Sequence, residues 1–122
     1  MNVQQRVNEI ITRHCIWMAE TIVQIEHLLR PDDMPSVAGS AELREMRELV
    51  HQMTGSSGTV GFAEIGQAAA RLEDHLVELI ERGTNKISEP DQGQLKGDFR
   101  ELASQIARAR PRDSSLYRID AA

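Results

Sequence analysis

A single cysteine, Cys15, excludes an internal disulfide and fits a reducing compartment. No apolar run approaches the roughly 20 residues that cross a bilayer, and the start carries no signal-peptide pattern. The expected setting is therefore the cytoplasm, with no membrane partner. Acidic residues outnumber basic ones, 19 to 14, for a formal net charge of -5. A general nucleic-acid binder normally shows a basic excess, so no nucleic-acid partner is expected. Aromatic residues are scarce (Trp17, Phe62, Phe99 and Tyr117), and no stretch alternates apolar and polar side chains as a half-buried strand does. Ala, Leu, Ile, Glu, Gln and Arg dominate instead, a helix-forming composition. The length of 122 residues suits one domain with one core.

Four segments carry helical periodicity. The first runs from about Val3 to Leu29. Val3, Val7, Ile10, His14, Trp17, Thr21, Ile25 and Leu28 recur at spacings of three and four, and Ile11, Met18, Ile22 and Leu29 widen that face. The prolines of RPDDMP stop it. Ser40 is the expected N-cap of the second helix, whose inner stripe is Leu43, Met46, Val50, Met53, Ser57 and Val60. Gly61 breaks it. The third has Phe62, Ile65, Ala69, Leu72, Leu76 and Leu79 facing inward and Gly83 as its C-terminal cap. Ser88 caps the fourth, Pro90 lies in its first turn, and Leu95, Phe99, Leu102 and Ile106 face the core before Pro111 closes it. Short connections make neighbours antiparallel. The expected architecture is all-α, an up-down-up-down antiparallel four-helix bundle over residues 1–110. Residues 111–122 are expected as a C-terminal tail, with Leu116, Tyr117 and Ile119 available to dock one end on the body.

The second helix carries an oddity, HQMTGSSGTVGF from His51 to Phe62. Glycine in a helix interior costs about 0.8–1 kcal/mol relative to alanine, yet Gly55 and Gly58 both lie inside it. At roughly 100° per residue, His51 points well away from the apolar stripe, and Gly55 and Gly58 fall on its side. Arg44 and Arg47, two turns and one turn before the histidine, fall there too. A lone surface histidine is ordinarily inert. A histidine with bare backbone on one side and guanidinium groups on the other suits a partner that closes over the imidazole.

At these residues the sequence resembles the histidine-containing phosphotransfer (HPt) domain family. Its members carry His-x-x-Lys-Gly-Ser, a small residue, an apolar-Gly pair and a helix ending near Leu-Glu. His51 matches the phosphoacceptor, and Gly55 and Ser56 match the glycine and small residue after it. Val60-Gly61-Phe62 matches the turn, with Ile65 and the Leu72-Glu73 pair matching the later apolar and acidic positions. The resemblance implies a phosphoryl carrier with no ATP site, cofactor or metal of its own. Nε2 of His51 would take phosphate from the aspartyl phosphate of a receiver domain and pass it to another receiver, with Mg²⁺ supplied by the receiver. The implied partners are response-regulator receiver domains and a hybrid sensor histidine kinase. Thr54 stands where the family often has lysine, and Arg47 is the expected substitute for that positive charge. Arg44, Arg47, Thr54, Gly55 and Gly58 are the expected docking residues.

Other chemistry is less well supported by the residues. GSSGTVG lacks the Gly-Lys-Ser/Thr ending of a phosphate loop, and no strand precedes it. His14 lies on an apolar stripe, His27 and His75 have no ligand partner at i+4, and a di-iron bundle needs Glu-x-x-His pairs on its helices, whereas the position three before His75 is Leu72. No metal site is expected. The alternative function is a non-phosphorylated adaptor bundle that binds receiver or kinase domains. A kinase dimerisation fragment would need a two-fold helical hairpin, whereas four helices in one chain bury their own faces, so a monomer is expected.

Overall fold

A computed structural model describes residues 2–29, 41–83 and 87–119. Four helices, α1 (Val3–Leu28), α2 (Ala41–Thr59), α3 (Ala63–Arg82) and α4 (Glu89–Arg108), precede a short 3-10 turn at Pro111–Asp113. No strand occurs among the described residues. The bundle is all-α, as its composition and periodicity predict.

Each helix is delimited by a local device. Asn2 and Gln5 form a reciprocal capping box at the start of α1, Asn2 Oδ1 accepting from Gln5 N at 2.7 Å and Gln5 Oε1 from Asn2 N at 2.9 Å. Ser88 caps α4 by accepting from Asp91 N at 3.3 Å, with Pro90 in the first turn. Gly83 ends α3 in the left-handed region at φ 64°, where only glycine is free of a Cβ penalty. The cap expected at Ser40 and the proline break at 30–35 lie outside the described residues.

The turn between α2 and α3 is the tightest connection described. Gly61, at φ 95°, donates to Gly58 O at 3.1 Å, and Phe62 N donates to Ser57 O at 2.8 Å. This double closure is the Schellman arrangement that terminates a helix through a left-handed glycine. Two residues later the chain is helical again, so α3 runs back along α2. The pairing is antiparallel, because Gly58 faces Gly66 near the turn while His51 faces Glu73 farther along. Arg82 at the end of α3 bonds Asp91 at the start of α4 at 3.0 Å, and the first turn of α3 shares a concavity with Gln105 and Arg108 at the end of α4. The course is compatible with up-down-up-down order.

The core follows the inner stripes closely in α2 and α3. Leu43, Met46, Val50, Met53, Ile65, Ala69, Leu72, Leu76 and Leu79 are all buried. In α1 most of the expected stripe faces the core, and it departs at Val3 and Ile10. Val3 and Ile10 are 78% and 54% exposed, and Ile11, His14, Met18, Thr21 and Ile25 face the core. Two overlapping apolar stripes run along this helix, and the position of its neighbours selects one of them. Phe99 of α4 is half-buried at the core edge, beside the fully buried Leu95 and Leu102.

Residues 111–119, expected as a tail, pack across one end of the bundle. Ser114 donates its hydroxyl to Val60 O at 2.6 Å, and Ser115 N donates to Gly61 O at 3.0 Å. On the other side Asn8 Nδ2 donates to Arg118 O at 2.6 Å, and Gln4 Nε2 to Leu116 O at 3.2 Å. The segment therefore straps the α2–α3 turn to the start of α1. Tyr117 is half-buried against the core, whereas Leu116 and Ile119 stay exposed. Polar contacts hold this strap together with Tyr117, the one expected apolar contact that forms.

Candidate functional site

His51 sits at the middle of α2, on the side facing α3. Its side chain is 61% exposed, and Nδ1 lies 2.5 Å from Oε2 of Glu73, whose side chain is 14% exposed. The antiparallel register sets this pairing, since both residues stand the same distance along their helices from the turn. A carboxylate only accepts, so the Nδ1 position carries the hydrogen and the lone pair of the neutral ring resides on Nε2. The carboxylate thus fixes both tautomer and ring orientation. The ring is held on one side and open to solvent on the other.

The surface beside it is bare. A Cβ added at Gly55 or Gly58 would meet nothing within 4 Å outside its own helix. Neither glycine is required by packing where its hydrogen replaces a side chain. Close packing occurs on the opposite partner. A Cβ at Gly66 of α3 would approach Gly58 N to 3.3 Å and Thr54 O to 3.5 Å. Gly66 lets the two helix backbones meet, which brings Glu73 within reach of His51. Gly55 and Gly58 instead leave the outer surface clear.

Thr54 is half-buried on the α3 side, and its hydroxyl donates to Val50 O of its own helix at 3.0 Å. Its methyl-bearing side chain fills the position without adding charge. Arg44 and Arg47 line a concavity of about 330 Å³ between α2 and α3, together with Glu48, Val77, Ile80 and Glu81. These arginines follow the same α2–α3 seam as His51, toward the start of α2. The five residues expected at the docking face and the histidine thus share one side of one hairpin.

Glu73 was legible only as an acidic position after Leu72; its contact with His51 follows from the turn length and the register. Of the remaining histidines, His27 is exposed, and His14 and His75 have structural surroundings. His14 is buried between α1 and α2, with Nε2 3.2 Å from Ser57 Oγ. His75 is buried between α3 and α4, with Nε2 3.4 Å from Asp91 Oδ1. No group of three or more metal-ligating side chains suited to an ion occurs among the described residues. No helix there is long and apolar enough to cross a membrane.

The structure is thus a four-helix bundle with an exposed, carboxylate-oriented imidazole on the face of its α2–α3 hairpin. A family model for the Hpt domain matches residues 9–110, and the chain belongs to that family. Comparison with curated proteins and with solved structures gave no match. Hpt domains take part in histidine phosphotransfer within phosphorelays, working with receiver domains and histidine kinases. The matched span ends just before the strap.

Proposed function

We propose that this protein is a phosphoryl carrier that accepts phosphate on Nε2 of His51 from a receiver-domain aspartyl phosphate and hands it to a second receiver. The observation that carries the reading is the pairing of an outward Nε2 with an Nδ1 held by Glu73, beside the bare surface at Gly55 and Gly58. The Nε2 lone pair attacks phosphorus, an N–P bond forms, and the P–O bond to the aspartate breaks with the carboxylate leaving. The ring gains positive charge as the bond forms, and the Glu73 carboxylate lies against the nitrogen that shares it. Transfer to the next receiver runs the same exchange in reverse. Positioning and charge stabilisation dominate such reactions, so the carrier needs no nucleotide or cofactor of its own, and Mg²⁺ belongs to the receiver.

Gly55 and Gly58 leave room for the receiver's active-site loops to approach the imidazole. Thr54 adds a neutral contact, and Arg44 and Arg47 steer an acidic partner along the seam. Such contacts are of modest area and short-lived.

The test uses the full chain and a receiver domain charged with acetyl phosphate and Mg²⁺. The carrier reading expects an acid-labile, base-stable phosphate on the protein, absent from His51→Gln, and slower transfer in Arg47→Ala. Binding of the charged receiver with no phosphate transferred would leave the adaptor reading in its place.

A further inference from the structure

The end of α2 is fastened from below, on the side away from the glycine face. His14 of α1, only 8% exposed, reaches the fully buried Ser57 at 3.2 Å. Ser57 directs its hydroxyl hydrogen to Met18 Sδ at 3.5 Å, which leaves its oxygen to accept from a His14 Nε2–H. The same imidazole stacks on Trp17, with centroids 5.4 Å apart, and on Phe62 at 6.1 Å. Ser57 and Phe62 are also the two ends of the 2.8 Å backbone bond that closes α2. One side chain of α1 thus grips both sides of the turn from which α2 and α3 diverge.

We infer that His14 is a positioning residue whose neutral ring clasps the α2–α3 hairpin onto α1, and that protonation at its other nitrogen, by placing a charge in this buried site, loosens the clasp and residues 55–62. The clasp itself stands apart from the carrier reading; only its consequence for phosphate transfer rests on it.

The neighbours of the ring offer no counter-charge. Ser57 of α2, Phe62 at the turn, and Trp17 and Met18 of α1 are uncharged. Arg13, adjacent on α1, is paired with Glu9 at 2.8 Å. Asp113 of the closing segment acts on the Cys15 thiol. Burial alone pushes the His14 pKa below its ordinary value, with no contribution from charges on α2, α3, α4 or the strap. An opened hairpin binds the proton at the ordinary imidazole value of about 6.5, above the clasped one. The clasp is therefore complete above that pH. As pH falls below it, the balance moves toward the open form by up to about tenfold per pH unit, until the clasped form also protonates.

Trp17, the single tryptophan, reports directly on this ring, because a protonated imidazole quenches a stacked indole. The experiment follows Trp17 fluorescence and amide exchange at residues 55–62, corrected for intrinsic rates, from pH 7.5 to 5. Wild type, His14→Gln and Ser57→Ala are compared, and receiver-driven phosphorylation is measured across the same range. In wild type, fluorescence falls with a midpoint below 6.5, and protection drops over the same interval. His14→Gln, which keeps a donor for Ser57 but does not titrate, loses the fluorescence step and holds its protection. Ser57→Ala keeps the fluorescence step but uncouples protection from it. A fluorescence step that survives in His14→Gln, or protection in Ser57→Ala that tracks pH as in wild type, overturns the inference. The acid loss of phosphorylation is shallower in His14→Gln than in wild type. A protein that takes no phosphate at any pH refutes the carrier reading alone, since fluorescence and exchange still decide the clasp.

Discussion

Oε2 of Glu73 lies 2.5 Å from Nδ1 of His51, across the α2–α3 seam and 22 residues along the chain. This contact makes the exposed imidazole a ring with one orientation and one available lone pair. Without it, the side chain projects into solvent with its rotamers and tautomers free to exchange.

Glu73→Ala is expected to slow phosphorylation of His51 by about tenfold or more, the scale of losing a positioned reacting group. Glu73→Gln keeps an acceptor for Nδ1–H but not the negative charge, and falls between Ala and wild type. Rates with a charged receiver test this order. Phosphorus NMR adds a second readout, because release of Nδ1 in Glu73→Ala permits some phosphate on that nitrogen. Equal rates and a single Nε2 isomer in all three proteins would refute the positioning role.

Three glycines of the hairpin are expected to respond in opposite ways. Gly58→Ala faces open space and gains up to about 1 kcal/mol from helix propensity. Gly66→Leu brings a Cβ to 3.3 Å from Gly58 N and must push the two helices apart, with a cost of about 1–3 kcal/mol or more. Gly55→Gln folds as well as wild type yet blocks receiver-driven phosphorylation, because its side chain occupies the cleared surface. Urea unfolding and phosphotransfer on the same samples separate the two kinds of effect. Normal phosphorylation of a folded Gly55→Gln protein would show that the bare surface is not needed for docking.

Removal of residues 111–122 takes away the hydrogen bonds from Ser114 and Ser115 to the α2–α3 turn, and those between Arg118 and Asn8. Exposing the Val60 and Gly61 carbonyls to water costs about 0.5–1.5 kcal/mol for each bond lost. The truncated protein is expected to unfold at lower urea and to lose amide protection first at residues 58–66. Ser114→Ala gives a smaller loss in the same place. Unchanged protection in both would mean that the strap rests on the turn without supporting it.

Much of the fold was legible along the chain because its causes are local. The three-four spacing in α2 and α3, the left-handed glycines at 61 and 83, and the Ser88-Pro90 start of α4 act within a few residues of themselves. The face of His51 was legible for the same reason, since helical phase alone separates it from Met46, Val50 and Met53. Less legible were features with two solutions of similar local quality. In α1, Ile10 and Ile11 both continue an apolar stripe, and phase by itself does not choose between them.

By itself, the sequence determined a helical bundle, the outward face of His51 and the cleared surface beside it, since periodicity, caps and missing side chains are properties of neighbouring positions. Only the tertiary structure decided that Glu73 meets His51, that Gly66 rather than Gly55 or Gly58 admits the neighbouring helix, and that His14 and the strap fasten the turn. Those contacts join residues from 8 to more than 100 positions apart. Their existence depends on how one helix is rotated and shifted against another, which the packing of the whole core fixes and no local stretch encodes.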